Sequence, residues 1–283
     1  MLIGAEAVDT AVELNAYLAR FGYGQGLSIQ QLWAEMDRVW AEMGLDNRRP
    51  LGSQRIADFY AHPVWVLNGL FADTDPTSVR HRQAIAAFLK DACDDQARLR
   101  IADYGGGSGA LARQIVDRLP GRSQIDLIEP FPSDFFRRRL GYRSEIRFHD
   151  VLSSDGYDVV IAQDVLEHVE QPIALAQRCI DATRQGGLVL FANCFYPCIQ
   201  CHLPGTFYLR HTFRYVLASP ALSYVGAVPG AAHVLIFRKH GEIDVAALVR
   251  RDRIARGVGP LLNLLGQFHS QMKTLGRRAG LSE

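Results

Sequence analysis

Hydrophobic positions in the first third of the chain recur at helical spacing. In "LSIQQLWAEMDRVWAEMG", Ile29, Leu32, Trp33, Met36, Val39, Trp40 and Met43 follow the rhythm of one buried helix face. Ser28 and Gln31 have the spacing of a capping box at its start, and Gly44 marks its stop. After "NRRPLGSQ", the stretch "RIADFYAHPVWVLNGLFADTDPTSVRHRQAIAAFLKDA" predicts two more helices joined by a turn at Asp73–Pro76. From Leu99 the rhythm changes. Short apolar runs, "RLRIADY", "QIDLIEP", "IRFHDV", "YDVVIAQD" and "GLVLFAN", alternate with helical patterns over Ala110–Leu119, Ser133–Leu140 and Val165–Arg184. That alternation predicts βαβ units and a parallel sheet covered on both faces, an α/β fold. Two more strands, Leu222–Val228 and "HVLIFRK", follow, and a helical tail runs from Asp244.

Composition narrows the class without naming a function. At 283 residues, 48% hydrophobic and 22% charged, the chain reads as a globular protein with room for a large core and an accessory region. A formal net charge of +1 supplies no global field for nucleic acid or an acidic membrane. No apolar run approaches the roughly 20 residues of a membrane span. The N-terminus, "MLIGAEAVDTAVELNAYLARFG", lacks the basic start of a signal peptide, and five cysteines do not suggest a disulfide framework, so a cytoplasmic protein is expected. Seven Lys and Arg from Arg250 to Arg278 face a single acid, Asp252, which reads as a solvated basic face.

One stretch carries chemistry. In "IADYGGGSGALARQIVDRL" a strand runs into Gly105, Gly106, Gly107, Ser108 and Gly109 and then into a helix. Glycines permit the tight turn and let a ligand approach backbone N–H groups, and the helix N-terminus adds a positive dipole end. The loop alone also satisfies the dinucleotide fingerprint, so it does not separate NAD from other nucleosides. Its surroundings say more. Asp103 precedes the loop; Glu129 ends the next strand, where a carboxylate can accept both hydroxyls of a ribose. Asp150 follows the third strand, where an adenine amino group can donate to it.

Taken together, "DYGGGSG", "DLIEP", "HDV", "DVVIAQDVLEHV" and "RQGGLVLFAN" resemble, in order and spacing, the class I S-adenosylmethionine-dependent methyltransferases, over about residues 99 to 239. The resemblance implies a Rossmann-like, seven-stranded sheet with its last strand antiparallel, a role that "HVLIFRK" suits. It implies S-adenosyl-L-methionine as cofactor, with Gly105, Gly107 and Gly109 along the methionine portion and Asp103 near its ammonium. Glu129 would then hold the ribose, Asp150 would face the adenine, and Gln163 and Asp164 would lie beside the sulfonium.

Methyl transfer from a sulfonium needs alignment above all, and a base only where the acceptor must lose a proton. His168, in "LEHV", follows the fourth strand and is the first candidate base; helix capping or loop packing explains it as well. Others lie in "NCFYPCIQCHLPGTFYLRHTFRYV", an aromatic and histidine-rich insertion placed as a lid: Tyr196, His202, Tyr208, Arg210 and His211. Within it, Cys194, Cys198 and Cys201 have a spacing that holds iron–sulfur clusters and, with His202, zinc; the context after a fifth strand favours packed or free thiols and no metal. Three regions are therefore expected: 1–95 as a helical cap over the acceptor pocket, 96–240 as the cofactor-binding core with a lid at 194–215, and 241–283 as a basic helical tail. The expected function is methylation of a small-molecule acceptor, first of all O-methylation of a sugar or biosynthetic intermediate, without nucleic acid or membrane as partner. N- or C-methylation, an NAD-dependent oxidoreductase and a non-catalytic partner protein of the same fold stay open.

Overall fold

The computed structural model describes residues 19, 28–154 and 156–278, except the side chains of Ser53 and of 267–278. The expectation about a signal peptide therefore concerns residues outside those described. Among the described residues four helices precede the sheet: α1 (Ile29–Glu42), α2 (Ser53–Ala61), α3 (Pro63–Thr74) and α4 (Pro76–Ala92). The capping box of α1 forms as the sequence predicts, with Ser28 and Gln31 each accepting from the other's backbone N–H. Gly44, at φ +65°, follows the helix end. The region expected to hold two helices after Gly52 holds three. His62 and Pro63 break it: the proline suits a first helical position, and the His62 ring accepts from the Val64 N–H at 3.1 Å.

Strands and helices then alternate: β1 (Leu99–Tyr104), α5 (Ala110–Arg118), β2 (Ser123–Ile128), α6 (Asp134–Leu140), β3 (Ile146–His149) and β4 (Tyr157–Gln163). A short 3-10 turn, Leu166–His168, precedes α7 (Pro172–Ala182) and β5 (Thr183–Ala192). The single helix expected over Val165–Arg184 is thus corrected. Pro172 fixes a new helix start, and Arg184 already belongs to β5. Beyond β5 come a 3-10 turn (Pro204–Arg210), α8 (Phe213–Leu217), β6 (Leu222–Val228), β7 (Ala231–Lys239) and the long α9 (Val245–Arg278).

The strands make one seven-stranded sheet in the order β3-β2-β1-β4-β5-β7-β6. Pairing is parallel from β3 through β5, and β7 runs antiparallel to both β5 and β6. Six strands therefore point one way and β7 the other, as the resemblance implies. Because the central strands are covered on both faces, they read as unbroken apolar runs rather than alternations. Ala102, Val160, Ala162 and Phe191 pack with α7 on one face. Ile101, Ile125, Ile161 and Leu190 pack with α4 and α5 on the other. A third core joins the first helices to α6 and to the segment after β5: Leu32, Trp40, Phe59 and Leu67 bury in one cluster with Phe135, Phe136, Cys201 and Leu203.

Candidate active site

Strand order reverses between β1 and β4, so the connections leaving their carboxyl ends diverge and open a crevice, the usual ligand position in such sheets. β1 delivers Asp103 to this edge and passes into the glycine loop. Gly105, Gly107 and Gly109 have φ of +70°, +52° and +66°. Space adds a second demand at two of them. A Cβ at Gly105 would lie 2.4 Å from Val165 Cγ2, and one at Gly109 would lie 2.4 Å from Leu140 Cδ1. At Gly107 a Cβ would meet nothing closer than Gly105 O at 3.9 Å. The loop is closed behind and open in front.

Acids surround the open side. Asp103 is buried, and its Oδ2 has no hydrogen-bond partner. Burial pushes its pKa up to about 7; the nearby Arg82 charge opposes the rise and Glu129 adds to it. Glu129 accepts from Gly107 N at 3.0 Å and from Phe131 N at 3.2 Å. Burial raises its pKa, and these two amides pull it back. Gln163 ends β4 and donates to Asp164 Oδ2 at 3.3 Å. Asp164 itself adopts φ +54°, uncommon for a residue with a side chain. Arg82 reaches the crevice from α4 and donates to Ala72 O at 3.2 Å. Burial lowers its pKa, against the attraction of Asp164, Asp73 and Asp103.

These groups floor a cavity of about 810 Å³, toward the upper part of the range for ligand pockets and wide enough for a nucleoside and a second molecule. The opposite wall is apolar and comes largely from the helices before β1: Leu51, Ile56, Tyr60, Trp65 and Val66, with Phe131, Phe135 and Phe136 beside them. Tyr60 stacks on Phe131 with ring centroids 5.4 Å apart. Leu51 N donates to Glu170 Oε1 at 2.9 Å, tying this wall to the segment after β4.

His168 stands between floor and wall. Its ring meets Trp65 at 6.0 Å, Tyr60 at 6.4 Å and His202 at 4.8 Å, all edge-on. Nδ1 donates to Cys201 O at 3.1 Å, which leaves Nε2 with its lone pair. Burial, helped by His202, lowers its pKa to about 3, so the ring is neutral. Glu167 beside it is wholly buried; Oε1 accepts from Cys194 N at 2.8 Å and Oε2 has no partner. Burial and then Asp164 raise that carboxyl to about 8.

Among the residues singled out from the sequence, Asp103, Gly105, Gly107, Glu129, Gln163, Asp164 and His168 line this one cavity. Gly109 sits just behind it as the cap of α5. The other candidates are elsewhere. Asp150 is not brought to the cavity: β3 ends at His149, and the exposed Asp150 carboxylate accepts from Arg137 at 3.2 Å. His202 is buried behind His168, its Nδ1 donating to Tyr196 O at 2.9 Å. His211 is exposed near Gly266 on α9, and the Tyr208 hydroxyl donates to Asp252 on the same helix. Tyr196 carries the Arg210 guanidinium over its ring at 5.0 Å. The segment read as a lid thus packs against α9 and the back of His168 rather than over the cavity. Sequence reasoning missed the aromatic wall, because helical spacing marks such residues only as core, and it missed Arg82, which tertiary packing alone brings to the crevice.

A glycine loop after β1, an acid at the tip of β2 and a deep crevice at the switch point define a nucleoside-binding α/β protein, and comparison with known proteins narrows the class. A family profile described as "Methyltransferase domain" matches residues 78–225, just over half of the chain. The chain belongs to this family of methyltransferases, whose methyl donor is S-adenosylmethionine. A ubiquinone biosynthesis O-methyltransferase from Vibrio cholerae serotype O1 is 26% identical over 101 residues, 33% of this chain. The match spans 41% of that relative's own length. A protein of the same name from Methylobacterium sp. is 24% identical over 208 residues, 66% of this chain and 73% of the relative. Among solved structures, human N-acetylserotonin methyltransferase, crystallised with S-adenosylmethionine, superposes with a TM-score of 0.51 at 16% identity. That superposition covers 81% of this chain and 70% of the human one, and it is a likeness of fold. The reading of the chain as an NAD-dependent oxidoreductase falls with the family match.

Proposed function

We propose that this methyltransferase moves a methyl group to the hydroxyl of a small, planar or apolar acceptor held under the aromatic wall. The helical region before β1 serves as the acceptor-pocket cap. The observation that carries the reading is the position of His168: a neutral ring, anchored through Nδ1, in a cavity floored by the glycine loop and walled by Tyr60, Trp65 and Phe131. The O-methyltransferase names of the relatives point the same way.

The residues present suit the cofactor. Asp103 offers an unpartnered buried oxygen to a cationic group, and Arg82 offers a positive charge to a carboxylate. Gly105 and Gly107 keep the floor free of side chains, and Glu129 offers acceptor oxygens to a diol. Gln163 and Asp164 complete the rim. When bound, S-adenosylmethionine supplies an electrophilic methyl on a positively charged sulfur. His168 Nε2 would take the proton of an acceptor hydroxyl as its oxygen is methylated. The imidazole would thereby gain the positive charge that a bound sulfonium gives up, so the crevice would carry the same charge before and after. That conservation offsets the cost that burial places on the imidazolium.

No helix among the described residues is long and apolar enough to cross a membrane. All five cysteines are free, which suits a reducing, cytoplasmic compartment. The test uses labelled S-adenosylmethionine and a panel of phenols, catechols, sugars and amines. Label is expected on a hydroxyl oxygen, and His168→Ala should lower the rate at saturating cofactor by about 10²–10⁴-fold while cofactor affinity holds. Label on nitrogen or carbon, or an unchanged rate, would refute the assignment.

A further inference from the structure

Past the end of β5 the chain folds back over the sheet edge, and residues 194–202 form a compact turn behind His168. Cys194 is fixed there by its N–H bond to Glu167. Its Sγ lies 3.4 Å from Cys198 Sγ, well beyond the roughly 2 Å of a disulfide. His202 closes the group: one ring nitrogen and both sulfurs all lie within 4.8 Å of one another. Two thiolates bound at about 2.3 Å to one tetrahedral ion stand about 3.8 Å apart, so the sulfur spacing is close to that of a loaded site.

The surroundings of the histidine match this purpose. Its Nδ1 donates to Tyr196 O at 2.9 Å, and such a backbone hydrogen bond fixes the orientation of a metal-binding imidazole. Cys201, the third cysteine of the spaced set, does not join. It is buried with Leu203 among the residues of the first helices. The cluster-like spacing of three cysteines is therefore not realised as three converging thiols. What converges is two thiols and the imidazole.

We propose that Cys194, Cys198 and His202 form a zinc-binding site, with solvent in the fourth position, that pins the turn after β5 behind the wall of the cavity. Soft thiolates with an imidazole select zinc over magnesium or calcium, whose preference is for oxygen. Both sulfurs are half-buried, so an ion can enter and a water can complete the tetrahedron. The role is structural: the metal holds His202, whose ring packs edge-on against His168 at 4.8 Å.

The test uses the full-length protein with its metals stripped and its thiols reduced under anaerobic conditions. Titration with Co²⁺ should produce thiolate-to-cobalt charge-transfer absorption with tetrahedral d–d bands, saturating at one ion per chain and abolished by Zn²⁺ displacement. Protein purified with zinc should retain it through gel filtration. Cys198→Ser and the double variant Cys194→Ser/Cys198→Ser should lose both signals, and Cys93→Ser, altered on the other face of the sheet, should keep them. Absence of charge-transfer bands in the wild-type protein would overturn the site, as would bands that persist in the double variant. Mass-spectrometric detection of a Cys194–Cys198 disulfide in metal-free protein, with no metal uptake after reduction, would replace it with a redox pair.

Discussion

Asp103 carries the sharpest consequence of a single residue's environment. Its carboxyl is buried without a partner for Oδ2 and holds a proton up to about pH 7. Because the folded value lies above the ordinary 3.8, the empty protein loses stability as pH rises from there toward 7. A cation arriving beside the carboxyl favours its charged form and lowers that value. Binding of S-adenosylmethionine just below pH 7 should therefore release a proton, and affinity should fall as the pH is lowered further. Calorimetry in two buffers of different ionisation enthalpy measures the release, which Asp103→Asn should abolish. Equal apparent enthalpies in both buffers with the wild-type protein would rule out this role for Asp103.

At the scale of elements, the glycine loop is held in its unusual shape by what packs behind it. Gly109 combines φ +66° with side chains of α6 and β2 at its back, Leu140 Cδ1 at 2.4 Å and Leu127 Cδ1 at 3.1 Å from where a Cβ would stand. Gly109→Ala should cost about 2–4 kcal/mol of stability, part from the left-handed backbone and part from overpacking. Urea denaturation is the check, and a loss under about 0.5 kcal/mol would mean the loop is more plastic than this packing allows. The same elements show why some parts were legible from sequence and others not. All seven strands were readable, because each is a stretch with apolar residues flanked by charge, glycine or proline. The loop and its acids were readable because their chemistry is local to one strand tip. Helix limits around Pro63 and Pro172 were misread because helical periodicity carried across a break. Arg82 was invisible for a different reason: nothing in its own sequence neighbourhood refers to a crevice built about twenty residues later, and tertiary packing alone brings it there.

Across the whole molecule, one carboxylate couples the first helices to the nucleoside floor. Asp73, near the end of α3, is buried and accepts from Arg113 of α5 at 2.7 Å and Arg139 of α6 at 2.6 Å. The hydroxyl of Ser108, inside the glycine loop, donates to it at 3.2 Å. The aromatic wall and the glycine-loop floor of the cavity are thus fastened at a shared point. Removing the carboxylate leaves two partly buried guanidinium groups without their partner. Asp73→Ala should lower stability by about 2–3 kcal/mol, below the cost of breaking a fully buried pair because both arginines keep some solvent. It should also weaken cofactor binding through Ser108. Thermal melts with and without S-adenosylhomocysteine report both effects, and a variant with wild-type melting in each condition would show that the two layers are held together elsewhere.

The central claim is that the adenosyl cofactor lies across the carboxyl edge of the sheet, with its ribose on Glu129. Calorimetric titration of S-adenosylmethionine into wild-type protein and Glu129→Ala tests it most directly. Loss of charge-assisted hydrogen bonds should weaken binding by about 1–3 kcal/mol in the variant, with one cofactor per chain in both proteins. Equal affinities in the two proteins would contradict the account.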